Sequence, residues 1–210
     1  MTMTLTLEEN LALTVKYAIA GDLSGMEDSI RATKAAAFHR GKCISERLLK
    51  TIKTIGYKNS VESMIKKLTK HAEEGDAYSV YLFSPSVYHS AEWYLALQYG
   101  LFQDHDDREI VKFLPEAEKK LSKQEKKRLR DQSFLYAQRL AKRMETIVNR
   151  SYQTGLPVAL KRAEEEAAKG NGEDLKIELA RLKLITEGLN IDVSQDIERI
   201  NQIYADRIKQ

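Results

Sequence analysis

Residues 122–154 read SKQEKKRLRDQSFLYAQRLAKRMETIVNRSYQT, a stretch that contains neither glycine nor proline. It begins with Ser122-Lys-Gln-Glu125, the pattern of a capping box, in which two side chains satisfy free N–H groups at the start of a helix. Its apolar residues recur at i, i+4, i+8 and i+11, and they are Tyr136, Leu140, Met144 and Ile147. This spacing places them on one stripe of a helix. The stretch therefore predicts a long helix near residues 122–153.

Helix start and stop signals recur along the rest of the chain, whereas strand signals are almost absent. Thr6-Leu-Glu-Glu9 is another capping box. Glycine follows several of the periodic segments, and it adopts the left-handed cap conformation without a steric penalty. The expected breaks are at Gly21, Gly41, Gly56, Gly75, Pro85, Gly100, Pro115 and Gly155. We therefore expect an all-α protein of about ten helices, arranged as a multi-helix bundle or as stacked helical hairpins.

Composition narrows the class of protein further. The chain has 210 residues and one cysteine, which excludes an internal disulfide. It lacks the run of about 18 apolar residues that a membrane-spanning helix needs, and its first residues do not resemble a signal peptide. We expect a soluble, cytoplasmic protein without a membrane partner. We divide it into an N-terminal helical bundle with an aromatic-rich hairpin (1–114) and a C-terminal long basic helix with a helical hairpin (115–210), packed as one unit.

The aromatic residues are concentrated in one region. Eight of the sixteen lie between Tyr78 and Phe102. Tyrosines have an apolar ring and a polar hydroxyl, so such a concentration is typical of a helix hairpin packed on both sides and equally of a binding surface. In the second case Trp93 would be the anchor of a protein interface. The predicted partner-binding residues are Tyr78, Tyr81, Tyr88, Trp93, Tyr94 and Tyr99.

Two H-x-x-E pairs lie near the same region. His71 with Glu74, and His89 with Glu92, each place an imidazole and a carboxylate on one helix face. Di-metal helical bundles use the reverse order, E-x-x-H, together with further glutamates. The two pairs predict a metal site. The alternative interpretation is that His71 lies in the last turn of a helix, where a positively charged side chain interacts favourably with the helix dipole.

A basic region lies within the predicted long helix. Between Glu118 and Glu145 there are ten basic and four acidic residues, so the local charge is +6 although the chain carries only +3. A basic stripe can bind the phosphates of nucleic acid, and a solvated helix face is the alternative interpretation. The candidate nucleic-acid-binding residues are Lys119, Lys120, Lys123, Lys126, Lys127, Arg128, Arg130, Arg139, Lys142 and Arg143.

No sequence motif indicates catalysis. The chain has no Walker A loop, no G-x-G-x-x-G turn and no G-x-S-x-G elbow. We therefore favour a non-enzymatic interaction or adaptor protein that docks a protein partner through the aromatic region and needs no cofactor. The alternatives are an RNA- or DNA-binding protein that uses the basic helix and a metal-binding bundle. The stripe of the long helix also allows a homo-oligomer, and the high Lys, Glu and Arg content fits a thermophilic source.

Overall fold

The computed structural model describes residues 5–99 and 122–209. These residues form seven α-helices, and neither range contains a β-strand, so the prediction of an all-α protein is confirmed. In chain order the helices are α1 (Leu7–Ala20), α2 (Leu23–His39), α3 (Glu46–Glu73), α4 (Ala77–Tyr99), α5 (Lys123–Lys169), α6 (Gly172–Leu189) and α7 (Ser194–Ile208).

The helix count over the described residues is lower than the expected ten, because three expected breaks lie inside helices. α3 continues through Gly56, α4 through Pro85, and α5 through Gly155 and Pro157. Proline inside a helix removes a backbone hydrogen bond and typically costs about 3 kcal/mol. The helix expected before Pro115, at residues 106–114, lies outside the described ranges.

The long helix starts where the sequence predicts and ends later. The Ser122 N–H donates to Glu125 Oε2 at 2.8 Å, and the Glu125 N–H donates to Ser122 Oγ at 3.2 Å, so the capping box is present. α5 then runs for 47 residues to Lys169 instead of ending near residue 153. The predicted stripe faces inward: Tyr136 is half-buried, and Leu140, Met144 and Ile147 are buried.

Gly155 lies inside α5, and its lack of a side chain lets the backbone of Gly75 approach the helix closely. A Cβ atom at this position would lie 2.8 Å from the carbonyl oxygen of Gly75, which follows α3. Gly75 has a φ of +73°, the left-handed conformation of a glycine C-cap. Beside this contact the Thr154 hydroxyl donates to the carbonyl oxygen of Ala72. The prediction of a helix end at Gly155 was therefore wrong, since this glycine allows close packing.

The chain forms two compact units, and the division predicted at 114/115 lies outside the described residues. Among the described residues, unit 1 contains 5–65, 86–99 and 122–140, and unit 2 contains 66–85 and 141–209. Each boundary falls within a long helix, so α3, α4 and α5 each contribute one part to each unit.

Unit 1 has an apolar core and a buried polar layer between α1 and α2. Thr14 is fully buried, and its hydroxyl lies 2.8 Å from the Asn10 carbonyl oxygen and 3.1 Å from the hydroxyls of both Ser29 and Thr33. Each buried hydroxyl therefore has a partner, as buried polar groups require. The apolar core nearby contains Ala18, Met26, Ile30, Leu49, Ile52, Tyr57, Tyr94 and Leu97.

Unit 2 packs the second part of α5 against α6 and α7. Small residues spaced by four, Ala159, Ala163 and Ala167, are buried on α5 and leave room for larger side chains. The Asn171 side chain caps the start of α6, and Asn190 in the left-handed conformation ends it. The larger buried side chains of this core are Leu175, Leu182, Ile185 and Ile200.

We expect Gly155→Ala to destabilise the protein by about 1–3 kcal/mol, because the added Cβ must displace the backbone of Gly75. Helix propensity alone predicts the opposite sign, since alanine is favoured over glycine by about 1 kcal/mol. The matched control is Asn149→Ala, at an exposed position of the same helix. Urea denaturation followed by circular dichroism measures both variants. A Gly155→Ala protein at least as stable as the wild type would contradict the close approach.

Candidate functional site

The first part of α5 presents an exposed basic surface in unit 1. We call residues 123–139 the basic segment. Among the side chains of this segment that the structure describes, Leu129, Ser133 and Tyr136 alone are half-buried, and they lie on the stripe that continues to the buried Leu140. The basic side chains lie on the other faces of the helix and are exposed. They are Lys123, Lys127, Arg128, Arg130 and Arg139.

These five cations have no carboxylate partner among the residues that the structure describes. The nearby Glu125 is occupied by Ser122, whose hydroxyl and N–H both donate to Glu125 Oε2. This hydrogen bonding lowers the pKa of Glu125 below its ordinary value. Of the other predicted nucleic-acid-binding residues, Lys142 and Arg143 are exposed on the continuation of α5. Lys119 and Lys120 lie outside the described residues, and the side chain of Lys126 is not described.

An aromatic side chain shares one row of the basic segment. Lys123, Lys127, Arg130 and Phe134 follow i, i+4, i+7 and i+11 spacing, so they lie along one face of the helix. Phe134 is 63% exposed, which is unusual for a large apolar ring. The sequence shows this row directly, because the spacing can be read without a structure.

The predicted aromatic surface is divided between core and exterior. In unit 1, Tyr94 is 8% exposed and its ring centroid lies 5.1 Å from that of Tyr136. Trp93 is half-buried and stacks on Tyr57 with 5.5 Å between ring centroids. Tyr99 is also half-buried, while Tyr88 is exposed. The proposed anchor Trp93 therefore already has an aromatic partner within the protein.

The remaining predicted aromatic residues lie on the first turns of α4, in unit 2. Tyr78 is 46% exposed and Tyr81 58% exposed, and the neighbouring Leu82 and Phe83 are exposed as well. The guanidinium of Arg181 lies 5.7 Å from the centre of the Tyr78 ring, which is within cation–π range. Tyr78, Tyr81 and Leu82 share one helix face at i, i+3 and i+4, and Phe83 lies about 100° further round the helix than Leu82. We call these four exposed side chains the α4 row.

The two H-x-x-E pairs have other partners. His71 Nδ1 lies 3.3 Å from Asp76 Oδ2, and Glu74 pairs with Lys70. His89 Nε2 accepts a hydrogen bond from the Trp93 indole N–H at 3.2 Å, and Glu92 is exposed. Over residues 5–99 and 122–209, no three His, Cys, Asp or Glu side chains are grouped so that they could hold a metal ion.

A cavity of about 250 Å³ lies in unit 2 between the start of α4, the middle of α5 and α6. Its lining includes three acidic residues, Glu74, Asp76 and Glu178, and two basic ones, Arg162 and Arg181. Glu178 is only 8% exposed. Its Oε1 accepts from Arg181 at 2.5 Å, whereas its Oε2 is buried and has no hydrogen-bond partner in the described part of the chain.

The cavity was missed by sequence reasoning, although a signal for it exists. Leu175, Leu182 and Ile185 form the apolar stripe of α6, and Glu178 occupies a position on that same stripe. A carboxylate at a position that packing would assign to an apolar side chain is unusual, because a buried charge is costly without a partner.

Asp76 is held ionised beside this cavity. Burial alone would raise the pKa of its carboxyl group. Hydrogen bonds from the Ser79 hydroxyl and N–H, together with electrostatic interactions with the nearby His71 and Arg181 side chains, outweigh burial and lower the pKa below its ordinary value. Asp76 therefore caps α4 as a carboxylate and contributes negative charge to the cavity wall.

Comparison with models of known protein families, with curated proteins and with solved structures finds no match for this chain. Within the described ranges, no helix is both long enough and apolar enough to cross a membrane.

We expect the charge of Asp76 to stabilise the protein at neutral pH by about 0.5 kcal/mol, a small value because the side chain is partly exposed. Since the folded pKa is lowered, this contribution is complete above the ordinary pKa and is lost as the pH falls through the folded value. The Asp76→Asn variant keeps the cap but removes the charge. Thermal unfolding between about pH 6 and about pH 2 should show a difference from wild type that shrinks below about pH 4. A difference that is constant over this interval would be inconsistent with the lowered pKa.

Proposed function

We propose that the protein binds nucleic acid through the basic segment of α5. The observation that carries this proposal is the row of Lys123, Lys127 and Arg130, exposed and without carboxylate partners in the described chain, with the exposed Phe134 at its end. Other surface cations include some that pair with a carboxylate, such as Lys161 with Glu165, and some that do not pair with one in the described chain, such as Lys58, so the row is distinguished by its spacing and by Phe134.

The geometry of the row suits a phosphate backbone. A helix rises about 1.5 Å per residue, so these cations follow one another at steps of about 6 Å and about 4.5 Å along the axis. Long flexible side chains at such spacing can neutralise successive phosphates, and the release of counterions then supplies binding free energy. Arg128 and Arg139 are exposed about 140° further round the helix, so they do not belong to this row.

Phe134 favours a single-stranded ligand. An exposed ring next to cations provides a surface on which an unpaired base can stack, which contributes about 1–3 kcal/mol per base in proteins that bind single strands. A duplex keeps its bases stacked on one another and leaves such a ring without a partner. We therefore expect single-stranded RNA or DNA to bind more tightly than a duplex of the same length.

Removing the row should weaken binding in a salt-dependent way. For the triple variant Lys123→Ala, Lys127→Ala and Arg130→Ala, we expect the slope of log K against log salt to become shallower by about 2, since three phosphate contacts are lost. The measurement is fluorescence anisotropy of labelled single-stranded and duplex oligonucleotides at about 50 mM and about 200 mM salt.

The matched control is Lys161→Ala, Lys176→Ala and Lys183→Ala. It removes the same charge from exposed lysines that pair with glutamates in unit 2. This control should bind like the wild type if the basic segment is the site. Absence of wild-type binding at the lower salt concentration, or an equal loss in both triple variants, would refute the proposal.

A second candidate function is docking of a protein partner on the α4 row. Four large apolar side chains in six residues are each 46–58% exposed there, and isolated exposed apolar residues are common whereas clusters mark interaction sites. The aromatic residues buried in unit 1 contribute to the core instead, so this candidate rests on Tyr78, Tyr81, Leu82 and Phe83.

The double variant Tyr81→Ser and Leu82→Ser tests this second candidate. A true partner captured by the wild-type protein should be reduced about tenfold, because exposed aromatic and aliphatic anchors dominate the binding free energy of interfaces. Quantitative mass spectrometry of pull-downs measures the reduction. Leu48→Ser with Ile55→Ser is the control, since both are exposed apolar residues of unit 1 outside the basic segment. An identical set of captured proteins from all three would eliminate the α4 row as an interface.

A further inference from the structure

We infer, with the class of ligand taken from the proposed function, that α2 carries a second contact for single-stranded nucleic acid. Three exposed residues form it, and we call them the α2 row. They are Arg31, Lys34 and Phe38. Their spacing, with cations at i and i+3 and a phenylalanine at i+7, is also that of Lys127, Arg130 and Phe134 in the basic segment. Because such positions lie along one face of a helix, each set aligns an aromatic ring with two cations.

Phe38 is the most exposed aromatic side chain that the structure describes, at 82%, and Phe134 is the next. Most large apolar rings are buried, because burial in the core removes them from water. The imidazole of His39 lies 6.2 Å from the Phe38 ring between centroids, with 68° between the ring planes, so the two rings are not stacked. Phe38 therefore offers a free face on which an unpaired base can stack.

Spacing alone does not identify such a contact, because the same spacing occurs at Lys50, Lys53 and Tyr57. In that case the Tyr57 ring is buried and stacks on Trp93. Lys53 is also engaged there, since it pairs with Glu27 at 3.1 Å. The α2 row and the basic segment share the spacing and, in addition, a ring that is exposed to solvent.

Both cations of the α2 row are accessible to a phosphate. Lys34 is exposed and has no carboxylate partner among the residues that the structure describes. Arg31 pairs with Asp28 one turn earlier, but both side chains are more than half exposed. Ion pairs exposed in this way contribute little free energy, so a phosphate can compete with Asp28 for the guanidinium.

The charge around Phe38 favours a polyanion over an apolar protein surface. Residues 34–50 contain five basic side chains and one acidic side chain, so they carry a charge of +4. Arg40 pairs with Glu8 at 3.3 Å, whereas Lys42 and Arg47 are exposed and have no carboxylate partner in the described chain. A single strand matches both features of this surface, since its phosphates bind cations and its bases stack on a ring.

Photocrosslinking of the wild-type protein tests the inference. A single-stranded oligonucleotide of about 20 nucleotides that contains iodouridine is irradiated with the protein at about 50 mM salt. Iodouracil crosslinks preferentially to an aromatic ring on which it stacks, and mass spectrometry identifies the crosslinked peptides. We expect crosslinks at both Phe38 and Phe134.

The crosslinked positions separate this inference from the proposed function. A crosslink at Phe134 without one at Phe38 would overturn the inference and leave the proposed function standing. A crosslink at Phe38 alone would support the α2 row and count against the basic segment. Crosslinks at neither ring would refute both.

The double variant Lys34→Ala and Phe38→Ala measures the contribution of the α2 row. We expect it to bind the oligonucleotide about tenfold more weakly than the wild type, because one phosphate contact and one stacked base are lost. The matched control is Ile55→Ala with Lys58→Ala, which removes one exposed apolar side chain and one exposed lysine from the same unit. This control should bind like the wild type.

Fluorescence anisotropy measures the three affinities, and circular dichroism checks that both variants keep their helix content. An unchanged affinity of the α2-row variant, or an equal loss in both double variants, would overturn the inference. If the α2-row variant fails to capture a protein that the wild type captures, yet keeps its affinity for the oligonucleotide, the α2 row binds a protein partner and the inference is wrong.

Discussion

The contact between the backbones of Gly75 and Gly155 is the constraint on which unit 2 depends. A side chain on Gly155 would collide with the Gly75 carbonyl oxygen, so the turn after α3 lies directly against the middle of α5. The Thr154 hydroxyl reinforces this approach through the Ala72 carbonyl. Asp76 follows immediately, caps α4 and forms part of the cavity wall. The position of the cavity therefore depends on a backbone contact that requires glycine at position 155.

Basic side chains are arranged differently in the two units, in a way that total composition hides. The basic segment presents cations that no described carboxylate neutralises, whereas the three carboxylates that line the cavity in unit 2 each lie beside a basic side chain. A net charge of +3 therefore says little about either surface.

The sequence was informative where one local interaction dominates. The capping boxes at Thr6 and Ser122 and the stripe from Tyr136 to Ile147 are present as predicted, because capping and periodic burial act over a few residues. The reading of Gly155 as a helix end was wrong, because a glycine required by a distant backbone has the same local pattern as a glycine that ends a helix. Glu178 was missed for a related reason. Its partner Arg181 is local, but its burial depends on the fold of unit 2.

The hydroxyl layer between α1 and α2 has a consequence for how these helices align. Thr14 meets Ser29 and Thr33 at 3.1 Å each, and these residues lie one helical turn apart on α2. Sliding α1 by one turn would carry the Thr14 hydroxyl away from both and bring Asn10 or Ala18 towards them, so the two contacts between hydroxyls of α1 and α2 would be lost. Purely apolar helices tolerate such slippage because one methyl group packs much like another. The three hydroxyls therefore favour one alignment of α1 against α2, because a shifted alignment loses the hydrogen bonds between them.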